Sequence, residues 1–416
     1  MENKKIRNKI IALSGEPVAG KGTTTKALVE ALQSTGYSQE NIHVISTGNE
    51  FRKYFSLVLR FIDNLKNDDI EEYETLAATN EIREIANNPK YLEAFRKSAT
   101  TIARKNIDAS HMSIEEMNNL PELAAIRKAI DLLIDGRMER IGTEINREER
   151  TNEIWILDSR LAFHNVPEAF AVRLTANPDV AAKRLLGDNT RGREDNNYNN
   201  IEEAKQAREN RKLGEQQRYL QRYGVDLEEP NNYDLIIDTS YAEPTDIADT
   251  ILDCLEYSLN NKPFAKMWTS PKILLPMQGE RETLGTATLS FDEMIESIQN
   301  NGFVPSKPIE IVEADGYKGI VEGHHRNFAA AALGKTLVPY EVIGRDDEKI
   351  IYGGFTPRER IQSIDKNILL GHEWMIEEGE RKAKGEKVTF SYSDVYPKIF
   401  EKIQNRKIKD KDDMER

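Results

Sequence analysis

Lys21 lies in a run of residue types suited to handling phosphate, SGEPVAGKGTTTKALVEAL, residues 14 to 32. The apolar run Ile10 to Leu13 precedes it and reads as a buried strand. After it, Ala27, Leu28, Ala31 and Leu32 share one face of a helix. Gly15, Ala19, Gly20 and Gly22 therefore fall on a strand-to-helix turn. There the first N–H groups of the helix and its dipole favour an anion. Glycine lets backbone approach a ligand closely, and a lysine beside it reaches terminal phosphate oxygens. The chemistry this pattern serves is phosphate binding and, with an acceptor held in place, phosphoryl transfer.

The spacing of Gly15, Gly20 and Lys21 fits the P-loop pattern G-x-x-x-x-G-K-[ST] except at its last place. Gly22 stands there, and Thr23 and Thr24 come next. Further residues extend the constellation. IWILDSR ends an apolar run on Asp158, a carboxylate placed to hold Mg²⁺ directly or through water, or else to cap the next helical turn. In ISTGNEFRKYF, Thr47 is placed to cap a helix and Gly48 admits a ligand, and Arg52, one turn inside, would point back toward a phosphate or else be an ordinary surface arginine. Arginines then accumulate at Arg160, Arg184, Arg191, Arg193, Arg208, Arg211 and Arg218. Phosphoryl transfer is mostly positioning and charge neutralisation, which such residues supply. Arg211, Glu215 and Arg218 share one helical face, either as part of a site or as an intrahelical ion pair. A second dense block, IVEGHHRNFAAAALG, puts Gly323, His324, His325 and Arg326 at the start of a helix. That too is an anion site by composition; a zinc site and a buried histidine pair are the competing readings.

These residues need a scaffold of alternating strands and helices. The first half reads as strand, turn, helix, strand (HVIST), a long helical stretch, and strands IWILDS, AFAVRLTA and YDLIIDTS. It closes on the helix AEPTDIADTILDCLEYSL, with Thr245 as its cap. The expected fold class is α/β, a parallel sheet with helices on both faces and a helical insert at about 56 to 110. This first domain spans 1 to 258. Residues 259 to 270 read as a linker, and residues 271 to 345 as a smaller α/β domain of ILLP, the helix SFDEMIESIQNNG, strands IEIVEA and GIVEG around the turn DGYK, and a helix from the histidines. Residues 346 to 416 read as a mostly helical extension.

The 416-residue chain is long enough for more than one domain, and no apolar stretch is long enough to span a membrane. Cys254 is the only cysteine, which suits a reducing compartment and the role of a small core residue. The start, MENKKIRNKI, leads straight into the first strand and leaves no room for a signal peptide, so a cytoplasmic location is expected. Residues 259 to 416 hold 24 Lys and Arg against 26 Asp and Glu, and the rest of the chain 34 against 45. That acidic balance counts against nucleic acid as a partner.

The blocks GEPVAGKGTTTKAL, ISTGNEFR, SIEEMNNL, DLLIDGR, LDSRLAF, RKLGEQQRYLQRYGVDL and YDLIIDTS, in that order, resemble the cytidylate kinases over residues 7 to 258. The resemblance implies transfer of the γ-phosphoryl of ATP to a nucleoside monophosphate, with Mg²⁺. Gly15, Ala19, Gly20, Lys21, Gly22, Thr23, Thr24 and Arg184 would hold ATP, and Thr23 with Asp158 the metal. Thr47, Arg52, Arg137, Arg160, Arg211, Glu215 and Arg218 would form the acceptor side. Lys21, Asp158, Arg160 and Arg211 would carry catalysis. Val18 replaces a loop glycine, Asn49 an aspartate, and Asp188 a lid arginine for which Arg191 or Arg193 would substitute. A changed acceptor or a slower enzyme stays open on that ground.

ILLPMQGER, SFDEMIESIQNNGFVPSKPIEIV and GYKGIVEGHHRNFAAAALGKTLVPYEVI resemble the ParB/sulfiredoxin-like fold over residues 271 to 345. The resemblance implies that Gly323 to Arg326 bind a second nucleotide or a phosphorylated metabolite. Gln278 stands where the free-serine kinases of that fold carry a glutamate, and Glu280 is displaced from it. The leading expectation is a kinase acting on CMP or dCMP. The alternatives are a kinase for another small molecule, with the second domain handling substrate or product, and a nucleotide-sensing or partition-like regulator.

Overall fold

The structure, a computed structural model, describes residues 8–54, 120–150, 152–187, 198–277, 291–348 and 354–364, with a few further residues up to 386. The helical insert expected at about 56 to 110, Asp188, Arg191, Arg193, Gln278, Glu280 and most of the extension from 346 to 416 lie outside them. The described residues group into two compact units. One holds those of 1–25, 32–172 and 177–233, the other those of 26–31, 173–176 and 234–416. Both mix strands and helices, and most strand pairs are parallel. Among the described residues no helix is long and apolar enough to cross a membrane.

In the first unit, β1 (Lys9–Gly15), β2 (Ile42–Ser46) and β3 (Ile154–Asp158) run parallel with β3 in the middle. β1 is buried at every residue after Lys9, as its unbroken apolar run requires of an inner parallel strand. β2 alternates more and keeps His43 half-buried, stacked on Trp155 with ring centroids 4.1 Å apart. α1 (Lys21–Ser34) comes after β1 and five loop residues, and buries Ala27, Leu28 and Leu32. A helix over residues 47–54 continues directly from β2, so Thr47 is its first residue rather than its cap.

α2 (Pro121–Ile145) starts with proline in its first turn, where the missing N–H costs nothing. Asn8 ties its end to the start of β1: the Asn8 amide donates to Ile145 O at 2.8 Å, and Arg150 N donates to Asn8 Oδ1 at 2.8 Å. Gly142 lets α2 approach the turn Ala162–Asn165 closely; a Cβ there would stand 2.6 Å from Val166 Cγ2. After β4 (Phe170–Thr175) come α3 (Pro178–Gly187) and α4 (Ile201–Tyr223). Asn200 caps α4 by accepting from Glu203 N, and Gly224 at φ 68° ends it.

The second unit contains β5 (Leu235–Asp238), α5 (Pro244–Leu259), β6 (Met267–Thr269) and β7 (Leu274–Pro276). It continues with α6 (Phe291–Asn301), β8 (Ile309–Ala314), β9 (Tyr317–Glu322), α7 (His324–Ala332), β10 (Val338–Arg345) and α8 (Pro357–Gln362). The strands lie in the order β5-β6-β10-β8-β9-β7, with β6–β10 and β8–β9 antiparallel. Asp315 and Gly316, both at positive φ, make the tight turn between β8 and β9.

Two further expectations change. The stretch read as a linker holds β6, which pairs with both β5 and β10. Three residues are too few to show a period of two, although Trp268 is buried with its indole N–H on Ala265 O at 3.0 Å. Thr245 does not cap α5. Pro244 takes the first helical turn and moves the cap to Glu243, which makes no side-chain capping bond. Cys254 is fully buried on α5, as a core residue would be, and burial raises its pKa.

Candidate active site

Between β1 and α1 the chain turns through Glu16 to Gly20. Ala19 N donates to Glu16 O at 3.2 Å, and Thr24 N makes the first helical bond, to Gly20 O, at 2.9 Å. The amides of Lys21, Gly22 and Thr23 precede that bond at the head of the helix. Gly20 holds φ 85°, which only glycine adopts at no cost, and a Cβ on Gly20 or Gly22 would meet nothing within 4 Å. The turn is thus an open cradle of backbone donors. Thr23 is exposed at its mouth, whereas Thr24 is buried.

Asp158 ends the central strand β3, opposite Leu13 of β1 and Ser46 of β2. Its Oδ1 lies 3.8 Å from Lys21 Nζ, and its Oδ2 accepts from Ser46 Oγ at 3.0 Å. The carboxyl ends of parallel strands are where ligands of such sheets bind. Thr47 Oγ1 donates to Asp158 O at 3.3 Å. One carboxylate and nearby hydroxyls are the hard oxygen donors that suit Mg²⁺, which keeps most of its water. Among the described residues no group of three or more His, Cys, Asp or Glu gathers as a metal cluster.

Two residues beyond Asp158, Arg160 turns back over the loop. Its Nη1 donates to Gly15 O at 2.8 Å and pairs with Glu215 Oε2 at 2.7 Å; Ser14 Oγ donates to Arg160 O at 3.1 Å. Glu215 Oε1 accepts from Arg211 Nε at 3.1 Å. The helical face read from sequence is therefore assembled with the loop, with Glu215 bridging Arg160 and Arg211. Arg218, one turn on, stacks on Tyr219, its guanidinium carbon 4.9 Å from the ring centroid. Burial pushes the Glu215 pKa up, but Arg160, Arg211 and Arg218 outweigh it and hold the carboxyl below its ordinary value. Lys21 is shifted as well. Burial first, then Arg160, lower its pKa to about 8 against the opposing pull of Asp158 and Glu215.

The expected acceptor residues on the helix after β2 and on α2 form a second group. Arg52 is exposed, folds back over Gly48, and donates to Asn49 Oδ1. Arg137 donates to Tyr54 OH and lies 3.7 Å from Glu50. Arg184 sits half-buried in the last turn of α3. Sequence reasoning passed over Ser14, Glu16, Ser46 and Tyr54. Glu16 carried a readable signal, since a carboxylate inside a phosphate-binding turn must be neutralised by a cation. Arg208, read from sequence among the phosphate arginines, instead bonds Glu16 and Pro17 O.

In the second unit, Gly323 takes φ 100° and α7 begins at His324. His324 is buried, and its Nε2 accepts from Met277 N at 3.1 Å. Arg326 is spent on backbone: its Nη1 donates to Pro308 O at 2.8 Å and to Lys307 O. Burial lowers the Arg326 pKa, against Glu322 and Glu310. Among the described residues, His325 Nε2 and both side-chain polar atoms of the fully buried Asn327 have no hydrogen-bond partner.

No family model matches the chain. A cytidylate kinase of Sulfolobus acidocaldarius is 30% identical over 166 residues, 39% of this chain and 78% of that protein. A cytidylate kinase of Thermoplasma volcanium is 27% identical over 164 residues, 38% of this chain and 76% of its own length. An S-adenosylmethionine-dependent nucleotide dehydratase of Lacinutrix mariniflava is 30% identical over 138 residues, 33% of this chain; the chain spans only about a quarter of that protein. By the first of these matches, which takes in more than three quarters of the relative, the chain belongs to the cytidylate kinase family.

Proposed function

We propose that the chain is an Mg-ATP-dependent kinase that transfers the γ-phosphoryl group to a nucleoside monophosphate, CMP or dCMP. The observation that carries this is the meeting of Lys21, Asp158, Arg160, Arg211 and Glu215 around an open backbone cradle. In this reading the amides at the head of α1 and Lys21 take the β- and γ-phosphates of ATP. Thr23 and Asp158 would hold Mg²⁺, which when bound would neutralise phosphate oxygens. Arg52 and Arg137 take the acceptor phosphate, and an oxygen of that phosphate attacks the γ-phosphorus in line as the bond to the ADP oxygen breaks. Arg160 and Arg211, aligned by Glu215, face the charge that spreads over the transferring group. ADP release measured with each nucleoside monophosphate, with serine and with no acceptor tests this. The reading predicts turnover that depends on CMP or dCMP; equal rates with and without acceptor would reject it.

A second reading concerns the other unit. The ParB/sulfiredoxin-like resemblance suggests an anion site at Gly323 to Arg326, and the unpartnered buried groups of His325 and Asn327 favour it. Arg326, occupied by Pro308 O and Lys307 O, would shape such a site rather than supply its charge. Calorimetry on the full chain with CTP, ATP, ADP and phosphoserine tests it in a Lys21→Met background, where the first site is disabled. Binding weakened by Asn327→Leu supports the site; no binding by the folded chain removes it.

A further inference from the structure

The loop that cradles the phosphate carries a conformation that its sequence does not favour. Val18, β-branched, sits at φ 65°. A side chain branched at Cβ is rarely found in that region, and such strain persists only where surrounding contacts enforce it. Three consecutive loop residues are held from α3 and α4. Arg208, with 1% of its side chain exposed, pairs through Nη2 with Glu16 Oε2. Its Nε donates to Pro17 O at 3.1 Å. Lys212, one turn on, adds its Nζ 3.3 Å from Glu16 Oε1 and 2.6 Å from Glu228 Oε1. The Val18 side chain itself packs on the cluster of Ala182, Leu185 and Ala204.

We propose that Arg208 is a positioning residue for the phosphate-binding loop. Through Glu16 and Pro17 it keeps Val18 left-handed, and so keeps the amides ahead of α1 aimed at one point. The geometry assigns the arginine to the loop and not to the ligand. Its Nε and Nη2 already face Pro17 O and Glu16, and almost none of the side chain meets solvent. A planar fork suits two acceptors at fixed angles, as a lysine would not. Released from it, Val18 relaxes to negative φ, the peptide planes on either side rotate, and the cradle opens.

The inference rests on reading the loop as the ATP site, and the test separates the two. On the full chain, the measured quantities are the Kd for Mg-ATP by calorimetry, KM for ATP and for CMP, kcat, and the urea midpoint. Arg208→Met is expected to raise the Kd and KM for ATP about tenfold while the CMP KM changes less than about twofold. Glu16→Gln moves the same values in the same direction. The decisive variant is Val18→Gly with Arg208→Met. Glycine holds the left-handed region without support, so the ATP KM returns to within about threefold of that of Val18→Gly alone. A merely structural arginine would not be rescued by a glycine in the loop. If Arg208→Met does not fold, Arg208→Lys and Glu16→Gln, each with and without Val18→Gly, carry the same comparison. Failure of the rescue, or equal effects on both KM values, overturns the proposal. A wild-type chain that binds no Mg-ATP overturns the ATP site and this inference together. Wild-type binding that Arg208→Met leaves unchanged overturns this inference alone.

Discussion

Replacing Lys21 by methionine tests the electrostatics of the cradle and its function in one experiment. The lysine keeps 20% of its side chain exposed, and burial together with Arg160 lowers its pKa from 10.5 to about 8. Each unit is worth about 1.36 kcal/mol, so without a ligand the folded chain holds this charge at a cost of about 3 kcal/mol at neutral pH. Methionine keeps the length and removes the charge. Lys21→Met is therefore expected to stabilise the ligand-free chain at pH 7 by about 2–3 kcal/mol, read from urea unfolding. Linkage sets the sign of the pH dependence. Between about pH 8 and 10.5 the unfolded chain holds a proton that the folded one has lost, so this group's contribution to stability rises with pH. The advantage of the variant thus shrinks and is nearly gone by pH 10.5. Cys254, Tyr219, Tyr223 and Tyr340, whose raised pKa values give the opposite slope in alkali, are common to both chains and cancel. Mg-ATP should raise the Tm of the wild type and not of the variant. Phosphate beside Lys21 favours its charged form, so binding at pH 8 takes up roughly half a proton, seen by calorimetry in buffers of different ionisation heat. A variant no more stable than wild type at pH 7, or an advantage that does not shrink in alkali, would refute the reasoning.

Arg52→Ala is expected to raise the KM for the acceptor about tenfold or more and leave that for ATP within about twofold, since a charge-assisted contact is worth roughly 1.5–3 kcal/mol; steady-state kinetics with both substrates varied measures it. Glu215→Gln leaves Arg160 and Arg211 facing one another and should destabilise the chain by about 2 kcal/mol or more at pH 7. Because the folded pKa of Glu215 is depressed, that contribution is present above the ordinary value of 4.5 and is lost as pH falls through the folded value, so unfolding of the two chains should converge in acid. Gly142→Ala puts a methyl group 2.6 Å from Val166 Cγ2 and should cost about 1–3 kcal/mol by urea unfolding, with the KM for ATP unchanged.

How much of the fold and site is legible in the sequence depends on the range of the interaction. β1, α1, β3 and β5 stand within a few residues of where apolar runs and helical spacing put them, because burial of a continuous strand leaves its mark in consecutive residues. The glycine turn is legible for the same reason: Gly20 needs its φ whatever surrounds it. The strand Met267–Thr269 is not, since its partners β5 and β10 are what make three residues a strand. Nor does composition separate the arginines by task. Arg208 and Arg211 lie one turn apart on the same helix; one is buried on Glu16, the other half-exposed on Glu215. Only the packing of α4 on the loop distinguishes them. His324 shows the same limit. Its type and place at a helix start suggest a positive group, and the fold makes it an acceptor for Met277 N.

α4 explains why these groups can act together. Arg208, Arg211, Glu215 and Arg218 recur at intervals of three, four and three residues, close to the helical repeat, so one rod carries them as a single stripe. Its first turns hold the cradle through Glu16 and Pro17, its middle joins Arg160 through Glu215, and its end reaches α2, where Arg222 meets Asp131 at 3.3 Å and Tyr223 donates to Asp135. A helix fixes the spacing of its side chains more closely than separate loops would, and such placement is what the proposed phosphoryl transfer would require. Any tilt of α4 would therefore displace the Arg208 contacts to the loop and the bridging carboxylate of Glu215 in the same motion.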